Sequence, residues 1–231
     1  MKNSISLSRS IIEGLRTLVF PEACIMCQYR DVAICPRCLA MWQQAPQKIR
    51  FPFVRTYSVI AYNSDVSRVV LKAKEERNRS AQDLLAQAMY HSIQSLIKDS
   101  QTEHFIIVPI PSSQEAIRRR GESFLHPIMD KVLKLSRDNQ KRGFMWEWQE
   151  ILEHRKKVSD QAGLNFRERS ENLRSAFRVT ARHLERPIIV VDDVVTTGAT
   201  LKNAIDALQE RKMTILGAAT ACASAHQLPI P

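Results

Sequence analysis

Residues 188–200 read Ile-Ile-Val-Val-Asp-Asp-Val-Val-Thr-Thr-Gly-Ala-Thr. Four apolar residues read as a buried strand with two adjacent carboxylates, Asp192 and Asp193, at its carboxyl end. A threonine-rich loop then opens a helix. In parallel sheets covered by helices, ligands bind at that end of the strands. The first turn of a helix offers free N–H groups and the positive end of its dipole, which suits a phosphate. Gly198 lets the backbone approach that phosphate or take up positive φ, and Thr196, Thr197 and Thr200 add hydroxyl donors. Asp192 and Asp193 can accept hydrogen bonds from vicinal sugar hydroxyls, or hold a hydrated Mg²⁺ through its waters. Carboxylates beside a phosphate repel it unless a sugar or a cation lies between. Residues 192–200, with Val194, Val195 and Ala199 as backbone contributors, therefore fit a phosphorylated sugar stretched from loop to strand end. An acidic strand end before an ordinary capped helix would use the same residue types, but it would not require the whole string.

A second constellation lies near the N-terminus. Cys24-x2-Cys27 and Cys35-x2-Cys38 place four thiols on two tight turns, the pattern of a tetrahedral zinc site. Disulfides are the weaker reading without a secretory signal, and two pairs this close favour metal over a redox dithiol. Four thiolates saturate the ion, so its expected role is structural, with module folding coupled to metal binding. Cys222 reads as a small buried apolar residue.

Arg118, Arg119 and Arg120 follow a strand that ends in a Pro-rich stretch. That end faces the site in a parallel sheet, so one or two of them could meet a pyrophosphate group. A solvated helix start is the alternative. Phe144, Trp146 and Trp148 alternate along an expected strand and share one face. They could stack single-stranded DNA bases, but aromatic strand faces usually pack, so a core face or packing against the cysteine module is expected. The six histidines form no ligand spacing and no triad.

The positioning elements follow from periodicity. Residues 1–20 read as an amphipathic helix with Ile11, Ile12, Leu15, Leu18 and Val19 on one stripe, ended by Pro21. Strands are expected at Tyr57–Tyr62, Phe105–Val108, Phe144–Leu152, Pro187–Val191 and Thr214–Ala219. Helices are expected at Val66–Lys74, Ala81–Ile97, Glu122–Leu135 (with Pro127 a candidate kink) and Thr200–Arg211. Residues 159–174 read as a polar, basic loop with some helix. The alternation implies a mainly parallel sheet flanked by helices. Two domains are expected: residues 1–50 with the N-terminal helix and cysteine module, and residues 51–231 with the sheet.

The chain has 231 residues, 44% hydrophobic and 25% charged, with a formal net charge of +10. That is ordinary globular composition, and the basic excess sits in the middle of the chain, where it suits nucleic acid or phosphorylated ligands. With only six glycines, none suitably spaced, neither a G-x-G-x-x-G fingerprint nor a Walker A loop is present. No apolar run approaches a membrane span. Glu13 and Arg16 interrupt the N-terminal apolar stretch, so no signal peptide is expected and the location is expected to be cytoplasmic.

The 188–200 string resembles the signature of type I phosphoribosyltransferases, which bind 5-phosphoribosyl 1-pyrophosphate. The resemblance extends to the ComF family. Val108-Pro109-Ile110-Pro111 followed by Arg118-Arg119-Arg120-Gly121 is similar to its "VPVP…R.RG" stretch. Arg155, Gln161, Leu164, Arg169, Asn172 and Ala176-Phe177 are similar to its next block, and the four-cysteine module matches as well. Two places depart from the family: Glu122-Ser123-Phe124 stands where Phe-Asn-Gln is usual, and Lys72-Ala73 where a lysine and an aromatic residue are usual.

The resemblance implies a type I phosphoribosyltransferase-like α/β fold with an N-terminal zinc module. It implies a site for phosphoribosyl pyrophosphate with Mg²⁺, and a part in competence, the import of transforming DNA. It adds Lys72 and Arg155 to the candidate ligand-binding residues, beside Arg118 and Arg120, and suggests that the loop from 155 covers the site during reaction. Asp192 and Asp193 would be the catalytic pair, with pentosyl transfer the reaction if the chain is an enzyme. The alternative is a single-stranded-DNA-binding or adaptor protein of the DNA-uptake machinery, with a regulatory sugar-phosphate site.

Overall fold

A computed structural model describes residues 23–102, 104–139, 146–155 and 176–228. The expected helix over 1–20, the loop 159–174, Phe144, Gln161, Leu164, Arg169 and Asn172 lie outside these residues. Seven strands are described: β1 (Gln47–Ile49), β2 (Thr56–Tyr62), β3 (Ile106–Pro109), β4 (Leu152–His154), β5 (Phe177–Val179), β6 (Ile188–Val195) and β7 (Ile215–Ser224). The helices are α1 (Pro36–Trp42), α2 (Ser64–Glu75), α3 (Arg79–Ser100), α4 (Gln114–Arg120), α5 (Leu125–Asn139) and α6 (Ala199–Glu210).

The main sheet has five strands in the order β1-β2-β7-β6-β3. All its pairings are parallel except β1 with β2. Ile188–Val191 are fully buried, as expected of a parallel strand covered on both faces. Side chains alternate across a strand, and the core divides accordingly. Ile189 and Val191 pack with α3, α5 and the cysteine module, whereas Ile188 and Val190 pack with α6 and the β4–β5 hairpin. β7 is built from small residues, and α3 lies close against it. A Cβ on Gly217 would stand 2.5 Å from Leu96 Cδ1 and 2.8 Å from the Arg55 carbonyl oxygen.

Local signals account for the helix starts. Asn63 Oδ1 accepts from the N–H groups of Asp65 and Val66, Asn78 Oδ1 from Ala81, and Ser113 Oγ from Ala116, each capping a first turn. α5 begins at Leu125, so Pro127 sits in its first turn, where a missing N–H costs nothing, rather than at a kink.

Two expected strands differ in extent. The acidic strand runs through to Val195, so Asp192 and Asp193 lie inside β6, paired alongside β7. The expected strand Phe144–Leu152 is regular only from Leu152. Before it, Trp148 makes one parallel bridge to Ile107. There the Ile107 N–H donates to the Glu147 carbonyl, and the Gln149 N–H to the Ile107 carbonyl. The chain then leaves the edge of β3 to pair β4 with β5. Trp146 is a core residue, its ring 5.2 Å from Tyr90 and 5.7 Å from Phe105. Trp148 is half-buried beside His126.

Candidate functional site

Successive residues of β6 point to opposite faces. Asp193 shares the α3 face with Val191, and Asp192 shares the α6 face with Val190. Both reach a cavity of about 330 Å³ at the carboxyl end of the sheet, lined also by Val194, Thr200, Lys74, Ser112, Ser113, Arg120 and Phe124. The loop after β6 closes on α6. Gly198 caps that helix with φ +79°, a conformation that glycine adopts freely. Its side-chain position is also taken, because a Cβ there would stand 2.5 Å from Phe51 Cε1. Thr196 and Thr197 are exposed, and Thr197 Oγ1 accepts from the Ala199 N–H. Val195 is buried in the core beneath.

Lys74 reaches in from the end of α2. Its Nζ lies 2.7 Å from Asp193 Oδ2 and 5.1 Å from the centre of the Phe124 ring. The contact is an ion pair at hydrogen-bond distance, and Asp193 is otherwise buried. Although Asp192 keeps some exposed surface, burial pushes its carboxyl well above the ordinary range. The charge of Asp193 adds to the rise, and Lys74 and the Asp193 N–H oppose it. Lys74 is shifted upward: burial disfavours its charge, and the neighbouring Asp193 and Asp192 outweigh that. Cys222 is fully buried as expected, and burial, with Asp193 second, raises its thiol.

The arginines sit at the end of α4, not at a helix start. Arg119 and Arg120 both contact Glu75 Oε1, at 2.8 and 3.2 Å. The Arg77 guanidinium donates to the Arg120 carbonyl and pairs with Glu122 at 3.4 Å. This clasp ties α4 to the end of α2. Arg120 lines the cavity, whereas Arg118 is exposed outside its lining. Lys72 pairs with Glu76 one turn on, at 3.1 Å, and also lies outside the lining. Arg155 follows β4, with its N–H donating to the Ala176 carbonyl, and is not part of the cavity wall.

Lys74, Ser112, Ser113 and Phe51 were not singled out by the sequence, and Phe124 entered only within the departure Glu122-Ser123-Phe124. Val66, Val69, Val70 and Ala73 form the buried stripe of α2; Lys74, four residues after Val70, and Lys72, three after Val69, border it on opposite sides, so helical phase alone did not choose between them.

The four cysteines form the second site. Their Sγ atoms all lie within 4.8 Å of one another, and those of Cys27 and Cys35 are 3.6 Å apart. Zinc–sulfur bonds of about 2.3 Å place tetrahedral sulfurs about 3.8 Å apart, so the residues fit a zinc ion. Burial disfavours the Cys24 thiolate, but backbone N–H groups of Cys27, Cys35 and Met26 outweigh it and bring the thiol down to about 6. Burial, with the other three thiols, pushes Cys38 up. Trp42 Nε1 donates to Met26 Sδ at 3.0 Å and anchors α1 over the first turn.

Residues 151–229 match the phosphoribosyl transferase domain. The match runs from β4 through β7 and includes the acidic pair and the threonine loop. Among curated proteins, none matches the chain. The chain thus has a mostly parallel sheet flanked by helices, a stretch over 151–229 similar to the phosphoribosyl transferase domain, and a four-cysteine cluster that could hold zinc. Among the described residues no helix is long and apolar enough to cross a membrane.

Proposed function

We propose that the cavity binds phosphoribosyl pyrophosphate with Mg²⁺, and that the chain is a ComF-like member of the phosphoribosyltransferase group. The observation that carries this reading is one cavity lined by Asp192, Asp193, Thr200, Lys74 and Arg120, at the end of the strand where the family match lies. The N–H groups opening α6, with Thr197 and Thr200, hold the 5-phosphate. Asp192 and Asp193 accept from the ribose hydroxyls. The buried Asp193 Oδ2, whose one close partner is an ammonium group, is the kind of oxygen a hydrated cation suits. Mg²⁺ would supply charge neutralisation for the pyrophosphate. Arg120 faces the same group. In pentosyl transfer, the bond from the anomeric carbon to pyrophosphate breaks with its electron pair leaving on oxygen, and a bond to the acceptor nucleophile forms. The cysteine module is structural. The process served, by the ComF resemblance, is DNA uptake.

The test is calorimetric titration of wild type and Asp192→Asn/Asp193→Asn with phosphoribosyl pyrophosphate and Mg²⁺. Mg²⁺-dependent binding that the double variant loses is expected. Absence of heat and of thermal stabilisation in wild type overturns the reading. Single-stranded DNA, whose binding by the basic middle of the chain would weaken steeply with salt, then becomes the ligand to titrate.

A further inference from the structure

Lys74 is three-quarters buried, comes from a helix outside the family match, and has its head group on one member of the acidic pair. We propose that Lys74 is an exchangeable counter-cation of the ligand site. It occupies Asp193 while the cavity is empty, and transfers to a phosphate oxygen of the ligand when the ligand and its metal arrive. The inference rests on the proposed ligand class, but its first half concerns the empty protein alone.

The geometry supports exchange in three ways. The ammonium lies 2.7 Å from Asp193 Oδ2, so a cation arriving at that carboxylate competes directly with it. The Phe124 ring, 5.1 Å from Nζ, gives the cation a second favourable surface along which to move. The side chain keeps 28% of its area exposed, so the flexible methylene stem opens towards the cavity rather than into packed core.

The charge arrangement favours the exchange. Among the described residues, both cations lining the cavity are already matched within the protein, Lys74 with Asp193 and Arg120 with Glu75. Among the described residues, an anionic ligand that engages either cation competes with a carboxylate for it, and Asp193 Oδ2 becomes available to ribose hydroxyls or a hydrated metal when Lys74 leaves. A divalent cation arriving alone has to displace the ammonium with no phosphate to receive it. Metal alone therefore binds weakly, and metal with phosphorylated ligand binds well. A purely structural lysine would not produce this order.

The experiment measures two affinities in the full-length chain for wild type, Lys74→Met and Lys74→Arg. Mn²⁺ alone is followed by its paramagnetic signal, and phosphoribosyl pyrophosphate with Mg²⁺ by calorimetry. Thermal melts show that each variant is folded. The expected result is crossed: Lys74→Met binds Mn²⁺ alone about tenfold more tightly and the phosphorylated ligand about tenfold more weakly, each a change of about 1.4 kcal/mol. Lys74→Arg stays close to wild type on Mn²⁺. Unchanged or weaker Mn²⁺ binding in folded Lys74→Met overturns the proposal, as does unchanged ligand affinity in a wild type that binds. If wild type binds no phosphoribosyl pyrophosphate, the proposed function fails. The Mn²⁺ comparison still decides whether Lys74 blocks the acidic pair.

Discussion

Gly198→Ala should be the most informative single substitution in the threonine loop, because two independent costs fall on one methyl group. The first is conformational. Gly198 has φ +79°, and holding an alanine in the left-handed region costs roughly 1–2 kcal/mol. The second is steric. The new Cβ would lie 2.5 and 2.8 Å from two carbons of the Phe51 ring, and overpacking of this kind typically costs about 1–3 kcal/mol. Together they predict a loss of roughly 2–5 kcal/mol, and at about 2–4 °C per kcal/mol for a chain of this size the midpoint should fall by about 10 °C. Phe51→Ala separates the two. In that background the ring is gone and the alanine penalty should shrink to the conformational part, about 1–2 kcal/mol. Urea or thermal melts of the wild type, both single variants and the double variant give the cycle directly. An equal penalty in both backgrounds would show that the ring does not exclude the methyl group. A penalty that vanishes without the ring would show that the backbone is not constrained.

Three further outcomes follow from other parts of the molecule. Zinc should be present at one ion per chain, and Cys38→Ser or a strong chelator should release it and loosen residues 23–45. Metal analysis and the fluorescence of Trp42, which lies over Met26, report both events. Asp192→Asn should raise the midpoint at neutral pH. The folded protein holds the Asp192 proton more tightly than the unfolded chain does, so stability from this group is full at low pH and is lost as pH rises. The advantage of the amide should therefore fade as pH falls towards 3.8, the ordinary value for aspartate. Glu75→Gln weakens an exposed pair to Arg119 and a second pair to Arg120, whose side chain is only 12% exposed, so it should lower stability by more than the ~1 kcal/mol of a wholly exposed pair. It should also alter ligand affinity measurably, since Arg120 lines the cavity.

The 188–200 string and the two CxxC pairs were legible because each packs its chemistry into a short stretch. The strand, loop and helix around Asp192 are set by neighbours in sequence, and the cysteine spacing defines the metal geometry locally. The cavity wall opposite was not legible, because Lys74 and Phe124 meet Asp193 only through the packing of α2 and the start of α5 against the sheet. The choice of Lys72 followed the motif. The two lysines border the buried stripe of α2 on opposite sides, so Lys72 meets Glu76 and Lys74 meets Asp193. Short elements were missed for a related reason. α1, β1 and the β4–β5 hairpin each have only three to seven residues per element, too few for periodicity to register, and tertiary pairing stabilises them. Of the aromatic alternation, Trp146 and Trp148 both pack against the core, and among the described residues one bridge of sheet forms there.

The place of β7 in the sheet has a consequence for how the protein is made. This strand emerges from the ribosome after every other strand described, yet it lies between β2 and β6. Until it arrives, β2 and β6 each present an unsatisfied ladder edge to the same gap, and such edges template association with other chains. The β1–β2 and β3–β6 pairs can form earlier, but the sheet cannot join its two halves until β7 is made. It closes in one late step, when Ala218–Ser224 slots into place against β2 and Ile215–Ala223 against β6. Asp192 and Val194 pair with Thr220 and Cys222 in that same step, so a nascent or prematurely stopped chain carries the whole acidic signature and no finished cleft. Such a chain should depend on chaperones or quick release more than its size alone would suggest.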